Sequence, residues 1–291
     1  MTDNAAPSKK ILVADDDRAL RNMLSSMLER AGFSVTTAGD GAEALAHMKH
    51  RKFDLVLLDV WMPQMTGLEV LARLKDRPGK PKVIVMTGDN TPETLLNAVR
   101  EQAYQYISKP FSAKGLVEMV ERALAATSAG PPIEVLSARP EWIELLVPCE
   151  REAAERIQEF LMQAKSDLPE EVREAVGQAF RELLLNAIEW GGELDPNQKV
   201  RISCLRTKRM IFYRIADPGR GFKFEGLTHA AVSNPPDSPI EHLQVRDQKG
   251  LRPGGFGILL TRAVVDELIY NEAQNEVAFI KYLDQAGEPK A

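Results

Sequence analysis

Ile11-Leu12-Val13-Ala14-Asp15-Asp16-Asp17 is the stretch on which the fold turns. Four consecutive apolar residues suit a strand buried on both faces of a parallel sheet, and three carboxylates follow at its end. Leu55-Val56-Leu57-Leu58 repeats the pattern and closes on Asp59; Val83-Ile84-Val85-Met86 repeats it again and closes on Thr87. Between these runs lie helical spacings: Leu20, Met23, Leu24, Met27 and Leu28 on one face, and later Leu116, Val117, Val120 and Leu124. Such alternation predicts a doubly wound α/β domain, in which chemistry gathers at the carboxyl ends of the strands.

Several carboxylates at adjacent strand ends repel one another unless a cation neutralises them, and Mg²⁺ is a hard ion bound through oxygen. Thr87 adds a hydroxyl, and Lys109, just after Tyr106-Ile107, adds an ammonium. The set suits a phosphoryl group that arrives with Mg²⁺ and is transferred to a carboxylate nucleophile. Asp17 equally suits a cap on the helix starting near Ala19. Asp59 closes an apolar strand and precedes Met62-Pro63, a setting that structure alone explains poorly.

The 291 residues amount to about two domains at ~150 residues each. Hydrophobic residues at 44% and charged residues at 27% are ordinary for a globular chain. A net charge of −5 argues against a direct nucleic-acid binder or a membrane-surface protein. No apolar run approaches the ~18 residues that span a bilayer. After Lys9 and Lys10 the apolar stretch meets aspartates too soon for a signal peptide, so the expected location is cytoplasmic. Cys149 and Cys204 form no CxxC pair, and the histidines join no cysteine cluster, which argues against a disulfide scaffold or a zinc site.

The expected organisation is a disordered start at 1–8, a first domain at 9–126, a linker at 127–140, a second domain at 141–285 and a tail at 286–291. The linker is marked by Ala, Thr, Ser, Gly and Pro, although Ile133 to Leu136 could pack as a short strand. The second domain opens with a strand at 142–147 and a helix carrying Ala153, Ile157, Phe160 and Leu161. A longer helix follows, with an apolar stripe of Val172, Ala175, Val176, Ala179, Phe180, Leu183, Leu184, Ala187 and Ile188. Strands are predicted at 199–205, 210–216, 268–271 and 276–283, with a helix from about Phe256. The Pro- and Gly-punctuated segment 219–255 reads as a mobile lid.

The ordered series Ile11 to Asp17, Asp54 to Pro63 with Gly67, Met86-Thr87-Gly88 and Lys109-Pro110-Phe111 resembles a response-regulator receiver domain over about residues 8 to 126. The resemblance implies a flavodoxin-like or CheY-like parallel sheet with Asp59 as phosphoacceptor. It implies Mg²⁺ held by Asp15, Asp16, Asp59 and the backbone carbonyl of Trp61, with Thr87 and Lys109 on the phosphoryl oxygens. Tyr106 would change rotamer on activation, and the Lys109–Pro110 bond would be cis. The implied partner is an upstream histidine kinase or phosphotransfer protein. Trp61 is a departure, and its indole is expected to shield the acyl phosphate from water.

In the second domain, Glu182, Asn186 and Glu189 fall at i, i+4 and i+7, on one face of a regular helix. By themselves they could be a solvated face. Asp217-Pro218-Gly219-Arg220-Gly221-Phe222 follows a strand, and Gly254-Gly255-Phe256-Gly257 opens a helix whose amides could cradle phosphates. A carboxylate at the base of such a pocket prefers adenine, because guanine would set two acceptors face to face at a cost of ~1–3 kcal/mol. No GxxxxGK[ST] is present, which excludes a P-loop.

Together these motifs resemble the ATP-binding α/β sandwich shared by histidine kinases, gyrases, Hsp90 and MutL, over about residues 140 to 285. Within that group the chain looks like the serine kinases that act as anti-sigma factors. The resemblance implies Glu182 as base for a substrate hydroxyl, Asn186 as Mg²⁺ ligand and Asp217 as adenine reader. Gly219, Gly221, Gly255 and Gly257 would line ATP. Trp190 stands where these families often carry histidine. His47, His50, His229 and His242 begin no His-Glu or His-Asp dyad, so any phosphate acceptor lies on another molecule.

The expected function is a response regulator, phosphorylated on Asp59, whose output is an ATP-binding serine/threonine kinase that binds a sigma factor or phosphorylates an anti-sigma-factor antagonist; a homodimer is compatible with this. The alternatives are an ATP-dependent module that sequesters a partner without catalysis, and a trans-acting histidine-kinase-like ATPase.

Overall fold

The computed structural model describes residues 8–89, 91–126, 131–139, 141–163, 167–222 and 256–283. The expected lid, apart from 219–222, lies outside the described residues, as do Gly254, Gly255, His229, His242, residues 1–7 and the tail. The chain divides into two units between residues 129 and 130.

In the first unit the apolar runs become parallel strands β1 (Lys10–Ala14), β2 (Ser34–Ala38), β3 (Leu55–Asp59), β4 (Lys82–Thr87) and β5 (Gln105–Ser108), in the order β2-β1-β3-β4-β5. Helices α1 (Arg18–Arg30), α2 (Gly41–His50), α3 (Gly67–Leu74), α4 (Pro92–Arg100) and α5 (Ala113–Ala125) connect them. Successive strand residues point to opposite faces, so runs buried throughout need helices on both sides. Ile11, Val13, Leu55, Leu57, Ile84 and Met86 pack with Leu24 and Leu28 of α1 and Leu116, Val120 and Ala123 of α5. Met23, expected on the buried face of α1, is 51% exposed. At ~100° per residue it lies about 100° from Leu24 and 140° from Leu28, off the edge of the stripe those two define.

β2 was not legible as a buried run because it is an edge strand of sequence Ser-Val-Thr-Thr-Ala, only partly covered. Its β-branched residues are the signal that would have found it.

Among the described residues, the second unit carries a six-stranded antiparallel sheet in the order β10-β11-β9-β8-β7-β6. Its strands are β6 (Glu134–Ala138), β7 (Trp142–Pro148), β8 (Lys199–Arg206), β9 (Met210–Ala216), β10 (Glu267–Tyr270) and β11 (Glu276–Tyr282). β6 lies inside the stretch expected as linker, where it is an edge strand paired to β7 along one side. Helices α6 (Arg151–Gln163), α7 (Glu170–Asn186) and α8 (Gly257–Val264) carry the complementary apolar faces. Alternation on the strands buries Leu145, Val147, Val200, Ile202, Tyr213, Ile215, Val277 and Phe279. Phe180 of α7 meets Tyr213 at 5.0 Å between ring centroids, and Tyr213 stacks on Phe279 at 5.1 Å. This aromatic column fixes α7 over the centre of the sheet. Among the described residues no helix is long and apolar enough to cross a membrane.

Candidate functional site

The first cluster forms where β1, β3, β4 and β5 end. Asp15 directly follows β1 and is fully buried, and Asp59 is the last residue of β3 and 4% exposed. Asp17 caps α1, its carboxylate accepting from the amides of Ala19 and Leu20. The capping role therefore belongs to Asp17, while Asp15 and Asp16 are left to the pocket. Lys109, just past β5, donates to Asp15 Oδ2 at 2.6 Å and to Asp59 Oδ1 at 2.8 Å. Oxygens of Asp15, Asp16 and Asp59 lie within 4.8 Å of one another. One ammonium against three carboxylates leaves a deficit of two positive charges. Hard oxygen donors with that deficit fit a divalent cation of the Mg²⁺ class.

Burial pushes the Asp59 carboxyl above its ordinary value, and Asp15 and Asp16 push the same way against the opposing pull of Lys109. Burial alone would depress the Lys109 ammonium, but its hydrogen bonds to Asp15 and Asp59 outweigh that and raise it. Gly67 closes the floor: a Cβ there would collide with the carbonyl of Asp59, so the start of α3 can approach only without a side chain.

Thr87 is fully buried at the end of β4, and its Oγ1 accepts from the Asp89 amide at 3.0 Å. A Cβ on Gly88 would meet open space. The Tyr106 ring is buried, and its hydroxyl donates to the Asp89 carbonyl at 3.1 Å; burial pushes this phenol up to about 12. The Lys109–Pro110 bond is cis. Trp61, two residues past Asp59, is 57% exposed.

The second cluster forms around α7. Glu182 and Asn186 are half-buried, one turn apart. The Oε2 of Glu182 fills the space a Cβ on Gly257 would need, so the start of α8 approaches α7 over a glycine. Beyond Asn186 the helix widens into a π turn, Ala187–Gly191. The regular spacing behind the expected grouping of Glu189 with Glu182 and Asn186 therefore ends at Asn186. The Glu189 carboxylate instead accepts from Arg151 Nε of α6 at 3.1 Å. The π turn delivers Gly191 against Asp217, where a Cβ would collide with the carboxylate. Burial raises the Asp217 carboxyl, opposed by the Gly219 amide that donates to Oδ1 at 2.8 Å.

Gly221 has φ +78°, and a Cβ there would collide with the carbonyl of Ala273. Trp190 is 46% exposed on the π turn. Gly191 was missed in the sequence, although the Gly191-Gly192 pair directly after a long helix was a signal of close approach.

The family model of the response regulator receiver domain matches residues 11–121, and that of the histidine kinase-like ATPase domain matches residues 147–281. The DNA-binding response regulator MtrA of Mycolicibacterium smegmatis is 34% identical over 184 residues, covering 63% of this chain and 78% of the relative. The chain belongs to the response-regulator family. The DNA-binding transcriptional regulator NtrC of Azospirillum brasilense is 40% identical over 122 residues, which is 42% of this chain and 25% of the relative. The chain thus spans about a quarter of the length of such relatives. Among solved structures, the chemotaxis response regulator CheY4 of Vibrio cholerae is 32% identical, covering 40% of this chain and 98% of its own at a TM-score of 0.38. The receiver domain holds the first cluster, and the ATPase-type domain holds the second.

Proposed function

We propose that the receiver domain accepts a phosphoryl group on Asp59 from a histidine kinase or phosphotransfer protein. The observation that carries this is the convergence of buried Asp15 and Asp59 on Lys109. An Asp59 carboxylate oxygen attacks phosphorus, the bond from phosphorus to the donor's imidazole nitrogen breaks, and the imidazole leaves with a proton. Lys109 follows the charge to the phosphoryl oxygens, and the Thr87 hydroxyl turns toward them. Asp15, Asp16, Asp59 and the Trp61 carbonyl would hold Mg²⁺, which supplies positive charge to the transferring oxygens. Acetyl phosphate should shift the protein on a phosphate-affinity gel, and Asp59→Asn should abolish the shift.

The ATPase-type domain is read as a serine/threonine kinase of the anti-sigma-factor kind, controlled by the receiver, that binds a sigma factor or phosphorylates an anti-sigma-factor antagonist. Asp217 would accept from the adenine amino group, and Asn186 would hold the Mg²⁺ of ATP. Glu182 would take the proton of the substrate hydroxyl as its oxygen attacks the γ-phosphorus and ADP leaves. The placement of Glu182 beside Gly257, one turn from Asn186, supports this reading. Incubation with Mg-ATP and small proteins of the source lysate should give acid-stable phosphoserine or phosphothreonine, lost in Glu182→Ala while ATP binding survives. Acid-labile product would indicate a phosphohistidine route instead. Binding without transfer in the wild type would indicate a sequestering module.

A further inference from the structure

The turn carrying Asp217 is held from outside its own segment. Asp217-Pro218-Gly219 folds back on itself when the Gly219 amide donates to Asp217 Oδ1, which leaves Oδ2 for a base. The turn begins directly after β9, and both its ends are bonded to one residue outside that strand. The Asp217 amide donates to the carbonyl of Asn275 at 2.9 Å, and the Gly219 carbonyl accepts from Asn275 Nδ2 at 3.0 Å. One residue, in the connection between β10 and β11, therefore clasps both ends of the turn.

The clasp is itself oriented. Asn271 Nδ2 donates to Asn275 Oδ1 at 2.8 Å, which fixes which side of the Asn275 amide is the acceptor and directs its NH₂ at Gly219. Asn271 Oδ1 in turn accepts from the Glu276 amide at 3.2 Å. On the opposite side the turn abuts Gly191: a Cβ on Gly191 would collide with the Asp217 carboxylate, and one on Gly219 with the Gly191 carbonyl. The Asp217 carboxylate is thus bracketed by the π turn on one side and by Asn275 on the other.

We propose that Asn275 is a positioning residue for purine recognition: by holding the Asp217–Gly219 turn at both ends it aims the Asp217 carboxylate at the 6-amino group of adenine. This rests on the reading of the domain as an adenine-nucleotide site with Asp217 as its base reader. Asn275 makes no contact with the base; its effect passes through Asp217. An aimed carboxylate discriminates a 6-amino from a 6-oxo purine, whereas a loosened one does so less.

The test is calorimetric titration of the full-length protein with ATP and with inosine triphosphate, which carries a carbonyl at position 6. Asn275→Asp keeps the acceptor for Asn271 and removes the donor to Gly219. It should weaken ATP about fivefold, the worth of one hydrogen bond, with little change for inosine triphosphate, so that the ATP preference falls. Asn275→Ala should lower the same ratio, and Asp217→Asn should abolish the preference, with no further loss on adding Asn275→Asp. A merely structural Asn275 would lower the melting temperature and weaken both nucleotides equally, and that result, or an unchanged ratio, overturns the inference while leaving the nucleotide reading intact. A wild-type protein that binds neither nucleotide overturns both.

Discussion

The ammonium of Lys109 stands 2.8 Å from the carboxylate of Asp59, a contact that joins residues 50 positions apart, one just past β5 and the other at the end of β3. It is made inside a pocket where burial favours the protonated acid, so the ionised Asp59 costs the fold free energy. Asp59→Asn should therefore raise the melting temperature at neutral pH. The sign follows from the raised carboxyl: the unfolded chain loses its proton near the ordinary 3.8, the folded one only at higher pH. The advantage of the variant should grow as pH rises from that value through the folded one and vanish below it. Thermal melts of both proteins across this range check the window.

Trp61 lies two residues beyond the phosphoacceptor with 57% of its surface exposed. If its indole screens the acyl phosphate, Trp61→Ala should shorten the lifetime of phosphorylated Asp59 severalfold. Phosphate release after removal of the small-molecule donor gives the rate, and an unchanged lifetime would exclude the shielding role.

Gly191 and Gly257 should respond differently to alanine. At Gly257 the added methyl meets the far end of a flexible glutamate, so Glu182 can swing aside. Stability should hold within ~0.5 kcal/mol while phosphoryl transfer drops. At Gly191 the methyl meets Asp217 down to its Cβ, which a change of rotamer cannot clear. That variant should lose about 1–3 kcal/mol and its nucleotide affinity together. Urea unfolding and nucleotide titration separate the two outcomes.

Cys149 is fully buried under Gly192, and burial, with Asp217 and Asp195 nearby, pushes its thiol up to about 11. Native protein at pH 8 should therefore show almost no reaction of Cys149 with a thiol-exchange reagent, because the thiolate is the nucleophile. Full reactivity should return in denaturant. A fast native reaction localised to Cys149 by peptide mapping would contradict the placement.

The sequence by itself determined a doubly wound α/β first domain, because runs such as Leu55 to Leu58 can be buried only between two helical layers, and their following carboxylates must then gather at one rim. It likewise determined that α7 carries an apolar stripe and that β8 and β9 alternate. Only the tertiary structure decided that Lys109 joins Asp15 to Asp59, because that contact is set by the order of strands in the sheet and by no local spacing. It also decided the end of α7: periodicity assumes a constant turn, and the π turn past Asn186 sends Glu189 to Arg151 and Gly191 to Asp217. The hold of Asn275 on Asp217 spans 58 residues (217 to 275) and depends on β9 lying beside β11, a pairing that neither segment spells out alone.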